Sequence, residues 1–186
     1  MNPMEWRTLE DQALWLLGHA DQAPPREGLQ GMLQQLRIWE YLQTGIYTSW
    51  TVILSARDYK GKRAVVREVG WDRPTDWKQR SRPVASLKRR RDIEPTMRIR
   101  DADLNWANLN PFLEFAGGLQ FERPGTTSLL PVEDDVFGLE GFRSYAHIRM
   151  EWSGAPKTRA TIGWFKKFRK LLVDAIKDRE REAERS

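Results

Sequence analysis

Ile46-Tyr47-Thr48-Ser49-Trp50-Thr51-Val52-Ile53-Leu54-Ser55-Ala56 is the stretch on which the fold turns. Ile46, Thr48, Trp50, Val52, Leu54 and Ala56 share one side of an extended chain, a period of two rather than 3.6. Asp58-Tyr59-Lys60-Gly61 follows with the composition of a tight turn, and Lys62 to Trp71 supplies a second run. An antiparallel hairpin is predicted here, and the rest of the chain is read around it.

Upstream, Asn2-Pro3-Met4-Glu5 reads as an N-cap, a proline at the first helical position and a glutamate three residues after the cap. Trp6, Leu9, Ala13, Leu16 and Ala20 then recur at helical spacing until Ala23-Pro24-Pro25. A second helix is expected from about Glu27, with Leu29, Met32, Leu36 and Trp39 inward and Gly45 as its left-handed C-cap. Together they form an N-terminal helical hairpin.

Downstream, residues 72–94 hold Pro74, Pro83 and many bases and read as a loop with at most one short element, while Thr96 to Arg100 alternates again. Leu104, Ala107, Leu109, Phe112, Leu113 and Phe115 suggest helix, which Pro111 should divide into two short pieces. Val136–Leu139 and Phe142–Trp152 flank Glu140-Gly141 as a second hairpin. From about Thr161, Trp164, Phe165, Phe168, Leu171, Leu172, Ala175 and Ile176 form a broad apolar stripe opposite Lys166, Lys167, Lys170 and Lys177. The expected architecture is α+β: one domain over residues 1–178 with a charged tail at 179–186, and an antiparallel sheet of four to six strands. The helical hairpin and the C-terminal helix are expected on one face.

Charge is unevenly distributed. Residues 58–100 hold 14 Lys/Arg against 6 Asp/Glu, a local net of +8, in a chain whose net is +5; residues 101–150 are acidic by five. Such a field selects anionic partners and can orient self-association through the basic and acidic segments. The absence of cysteine removes disulfides, thiolate nucleophiles and Cys-ligated metals. There is no Walker lysine loop, His-Glu-x-x-His, nucleophile elbow or dinucleotide fingerprint, so no cofactor and no metal are expected. The N-terminus lacks the pattern of a signal peptide and no stretch reaches the ~18 apolar residues of a membrane span, so a cytoplasmic protein without membrane contact is expected.

Two constellations stand out. Arg73, Trp77, Lys78, Arg80, Arg82, Lys88, Arg89, Arg90 and Arg91 mix cations with aromatics, as needed to hold phosphates and stack bases, or to meet an acidic protein. Arg143, Tyr145, His147 and Arg149 share one side of a strand and could form an anion pocket. Asp58 with Asp76-Trp77-Lys78 is similar to the carboxylate–lysine set of restriction-endonuclease-like folds, but that triplet lies on an apolar strand, which Arg73-Pro74-Thr75 and Gln79-Arg80-Ser81 do not make. The leading expectation is a non-enzymatic binding module that recognises a protein through charge-segregated surfaces, an inhibitor- or immunity-like role of bacterial type being one form. A nucleic-acid-binding protein is the alternative, and a small enzyme around His147 the third.

Overall fold

The computed structural model describes residues 9–20, 32–55, 63–80, 94–118, 135–143, 146–153 and 159–185. Helix α1 (Leu9–Gly18) precedes strands β1 (Met32–Tyr41), β2 (Ile46–Ser55) and β3 (Ala64–Asp72). Helix α2 (Arg73–Arg80), strand β4 (Met97–Leu104) and helix α3 (Trp106–Gly118) follow; strands β5 (Val136–Arg143) and β6 (Ala146–Ser153) lead to helix α4 (Arg159–Glu184). The strands form one sheet in the order β4-β3-β2-β1-β5-β6, every neighbouring pair antiparallel. The expected α+β class, antiparallel sheet and packed C-terminal helix are all present.

The second helix of the expected N-terminal hairpin is instead strand β1. Leu36 and Trp39 fit helical spacing only because β1 lies inside the sheet, between β2 and β5, where both faces are buried and period-two polarity is lost. Leu36 and Ile38 join one core while Trp39 is buried on the opposite face. Gly45 does take positive φ, 80°, but in the β1–β2 turn: Leu42 N donates to Ile46 O at 3.0 Å and Gly45 N to Leu42 O at 2.8 Å.

The short element allowed within residues 72–94 is the helix at 73–80, and two other boundaries differ from the sequence reading. Residues 73–80 are helical because Asp72 caps them, its Oδ1 accepting from Thr75 N at 3.1 Å and its Oδ2 from Thr75 Oγ1 at 2.9 Å. Helix α3 is one helix with Pro111 inside it, capped by Asn105 Oδ1 on Ala107 N at 2.9 Å. Glu140 and Gly141 lie within β5 rather than in a turn, opposite Arg37 and Leu36 of β1.

The sheet is covered on both sides. Helices α3 and α4 cover one face, where Phe168, Leu172 and Ile176 are fully buried against Leu36, Ile38, Val52, Val66 and Ala102. Trp164 stacks on Phe168 and Phe115, and Phe165 meets Phe137 and Trp152 edge-on. Helix α1 lies on the other face instead, burying Leu9, Ala13 and Leu17 with Val69 and Trp71, so the helices do not share one side as expected. Helix α4 runs on past Asp178 to Glu184, tied to β4 by Arg100 Nη1 donating to Glu180 Oε1 at 2.7 Å. Among the described residues no helix is long and apolar enough to cross a membrane.

Candidate functional site

Helix α2 is an eight-residue platform fixed at three points. Arg73 N donates to Gly45 O at 3.1 Å, joining the helix start to the β1–β2 turn. A β carbon at Gly45 would lie 2.9 Å from Pro74, so the positive φ and the close approach both require glycine there. Asp76, almost fully buried, accepts from Trp71 Nε1 and from Thr96 N, each at 2.8 Å, clamping α2 between β3 and the entry to β4.

On the outer side of this clamp Trp77 is 49% exposed and Lys78 is exposed. The Arg73 guanidinium lies 5.7 Å from the Trp77 ring centroid and 3.5 Å from Glu10 of α1. The helix therefore brings Arg73, Trp77 and Lys78 together on one rigid element and carries Arg80 as its last residue. Arg82, Lys88, Arg89, Arg90 and Arg91 lie outside the described residues, as does Asp58. Asp76 belongs to a helix and its Oδ2 is held by two protein donors, so the triplet lacks the strand setting of the nuclease-like arrangement.

Much of the described basic segment is neutralised internally. Arg63 meets Asp103 at 3.3 Å, and Arg67 makes a bidentate pair with Asp101 at 2.8 and 2.9 Å. Arg100 and Arg98 converge on Glu68, which is 1% exposed and also accepts from Trp50 Nε1 at 2.9 Å. Burial alone would lower the Arg100 pKa, but its hydrogen bonds to Glu180 and Glu68 outweigh that and hold it above the ordinary value. Hence the positive charge of the described part of this segment is weaker in the fold than in the sequence; Arg98 and Arg63 keep side chains 62% and 45% exposed, and on α2 Trp77 and Lys78 are exposed as well.

The sequence reading missed a polar row on the α1 face. The pairing register lines up Asp101, Arg67, Thr51, Arg37, Glu140 and Arg149 across all six strands. Arg37 pairs with Glu140 at 2.5 Å, and Arg67 and Arg37 also donate to Ala20 O and Leu17 O at the end of α1. Cations at a helix C-terminus are favoured by its dipole. Burial pushes the Arg37 guanidinium below its ordinary pKa, with Glu140 pulling it back, and burial raises the Tyr41 phenol nearby. A signal was visible in Arg67-Glu68, two charges embedded in the apolar run of β3.

Of the expected anion pocket, Arg149 is exposed, 3.1 Å from Glu151, with its guanidinium 5.3 Å from the Trp39 ring centroid. Arg143 and His147 occupy β5 and β6 positions, opposite Ala146 and Phe142; Tyr145 and the side chains of Arg143 and His147 lie outside the described residues. Among the described residues no three His, Asp or Glu side chains are grouped to hold a metal. No protein-family model, curated protein or solved structure matches this chain.

Proposed function

We propose that the protein is a recognition module that binds an acidic protein surface through the outer side of α2. The observation that carries this reading is Trp77, half exposed on a helix whose buried side is locked by Asp76. A large amphipathic ring held in place loses little freedom on binding, and aromatic anchors with arginine neighbours dominate interface energetics. Lys78 beside it complements carboxylates, as does Arg73, whose 3.5 Å contact with Glu10 leaves its side chain 38% exposed; such charges steer encounter more than they add affinity. Internal neutralisation of Arg63, Arg67, Arg98 and Arg100 favours this compact contact over a long phosphate-tracking groove.

The test compares immobilised wild-type protein with Trp77→Ala and Lys78→Glu in capture from native lysate, alongside anisotropy titrations with labelled single- and double-stranded oligonucleotides. A captured protein lost with Trp77→Ala, at unchanged melting temperature, is the expected result. Oligonucleotide binding that needs Trp77 and falls steeply with salt would replace this reading with nucleic-acid recognition.

A further inference from the structure

The outer edge of β6 is complementary to itself. β6 is the terminal strand of the sheet, paired with β5 on one side, and no described strand pairs with its other side. Edge strands are commonly blunted by like charges, lysine above all, by proline or by a bulge, because unpaired backbone groups template another strand; the described charges of β6, Arg149 and Glu151, are instead of opposite sign. Ala146-His147-Ile148-Arg149-Met150-Glu151-Trp152-Ser153 contains no lysine or proline, and its register with β5 is unbroken.

We propose that a second copy of this chain adds to β6 in antiparallel register about a two-fold axis at Met150, joining two sheets into one. That register sets Arg149 opposite the partner's Glu151 and Glu151 opposite the partner's Arg149. Within one chain these two side chains already meet at 3.1 Å, with Arg149 56% and Glu151 29% exposed. The pairing therefore closes a ring of four alternating charges. In the same register Ile148 stands opposite the partner's Trp152, which is half-buried in one copy and packs on Phe137 and Phe165. An isologous contact of this form is closed and stops at two copies.

The opposite edge of the sheet shows the contrary pattern. On β4, Arg98 and Arg100 share one face while Asp101 and Asp103 share the other. Antiparallel self-pairing about Ile99 sets Arg98 against Arg100, and about Ala102 it sets Asp101 against Asp103. Pairing about Arg100 or Asp101 sets that charge against its own copy. Like charges directly opposite are unfavourable. Arg100 is moreover held by Glu68 and by Glu180 of α4. In these four registers the β4 edge opposes like charges, whereas the β6 edge about Met150 opposes unlike ones.

Sedimentation velocity on the full chain tests this. The wild type is expected to dimerise with concentration. Arg149→Glu alone and Glu151→Arg alone each create two like-charge oppositions, which should weaken self-association roughly tenfold or more. An equimolar mixture of these two variants should form a heterodimer, because each glutamate of one then meets an arginine of the other. If one single variant fails to fold, the doubly exchanged Arg149→Glu/Glu151→Arg chain, which keeps the intrachain pair, should dimerise like the wild type. A wild type that stays monomeric at its solubility limit overturns the proposal, as does a dimer indifferent to Arg149→Glu. These outcomes are independent of Trp77, which lies on the helix following β3, not on β6.

Discussion

Gly138→Ala should be among the most damaging single-methyl additions to this protein. Gly138 stands opposite Trp39 in the β1–β5 register, and the indole occupies the space a β carbon there would fill. A β carbon at 138 would fall 1.9 Å from Trp39 Cζ2 and 2.0 Å from Cε2, distances no contact survives. Trp39 is 1% exposed, and the Arg37 guanidinium lies 4.7 Å from its ring centroid. If the ring slides within the core, overpacking costs about 1–3 kcal/mol. If it is expelled, the loss of roughly 150–250 Å² of burial at ~25 cal/mol per Å² costs about 4–6 kcal/mol. Either is a large share of the ~5–15 kcal/mol by which domains are stable. Urea unfolding followed by circular dichroism should therefore show a midpoint well below wild type. Trp39→Leu vacates the space over residue 138, so adding Gly138→Ala to it should cost little more, a strongly non-additive cycle. Additive losses, or a Gly138→Ala protein as stable as wild type, would refute the packing argument.

Leu172→Asp should leave no soluble folded protein, since the side chain is fully buried beneath α4 and a lone carboxylate there costs several kcal/mol, about the whole margin of stability; a normal melting curve would contradict this. Arg67→Met should destabilise by about 3–5 kcal/mol by stranding Asp101, whereas Arg67→Met with Asp101→Leu should recover most of that loss in thermal melts. Burial raises the Tyr41 phenol, so the unfolded state loses its proton first; the stability this group contributes is present below its unfolded value of about 10 and fades as pH rises through the folded value. Denaturant titrations across that alkaline range should show a shallower decline for Tyr41→Phe than for wild type.

What was legible in the sequence depended on whether one face of an element stays wet. Helix α4 was readable because Lys166, Lys167 and Lys170 line the side opposite Phe168 and Leu172. The β2–β3 hairpin was readable from its β-branched and aromatic residues. β1 was not, because its burial on both faces leaves Leu36 and Trp39 at a spacing that serves a helix equally well. That ambiguity propagated to β5: Glu140 looks like a turn residue until Arg37 is placed opposite it, and Arg37 has no such position if β1 is a helix. The α2 platform carried visible cues in Asp72 and Pro74, masked by the surrounding charge density. Its anchor was not visible, since Asp76 reaches a backbone donor at Thr96 that only the β3–β4 pairing brings near.

The buried ion pairs address a problem that this double-sided sheet creates. Where one face is wet, a one-residue slip exposes the apolar set and is rejected; where both faces are dry, that penalty is weak. Charges restore it. In the observed register Arg67 faces Asp101 and Glu68 faces Arg100. A slip of one residue sets Glu68 opposite Asp101 in one direction and Arg67 opposite Arg100 in the other. Either leaves buried charges uncompensated, at about 3–5 kcal/mol for each broken pair. Between β1 and β5 the lock is steric as well: Trp39 fits over Gly138, and a slip would set it against Phe137 or Leu139 while parting Arg37 from Glu140. On this argument the polar row across the sheet selects one register among several of similar hydrophobic merit. The Arg67→Met/Asp101→Leu protein should then melt close to the wild type yet lose sharpness in the amide spectrum of β3 and β4, whereas a single well-dispersed set of resonances would mean that packing alone fixes the pairing.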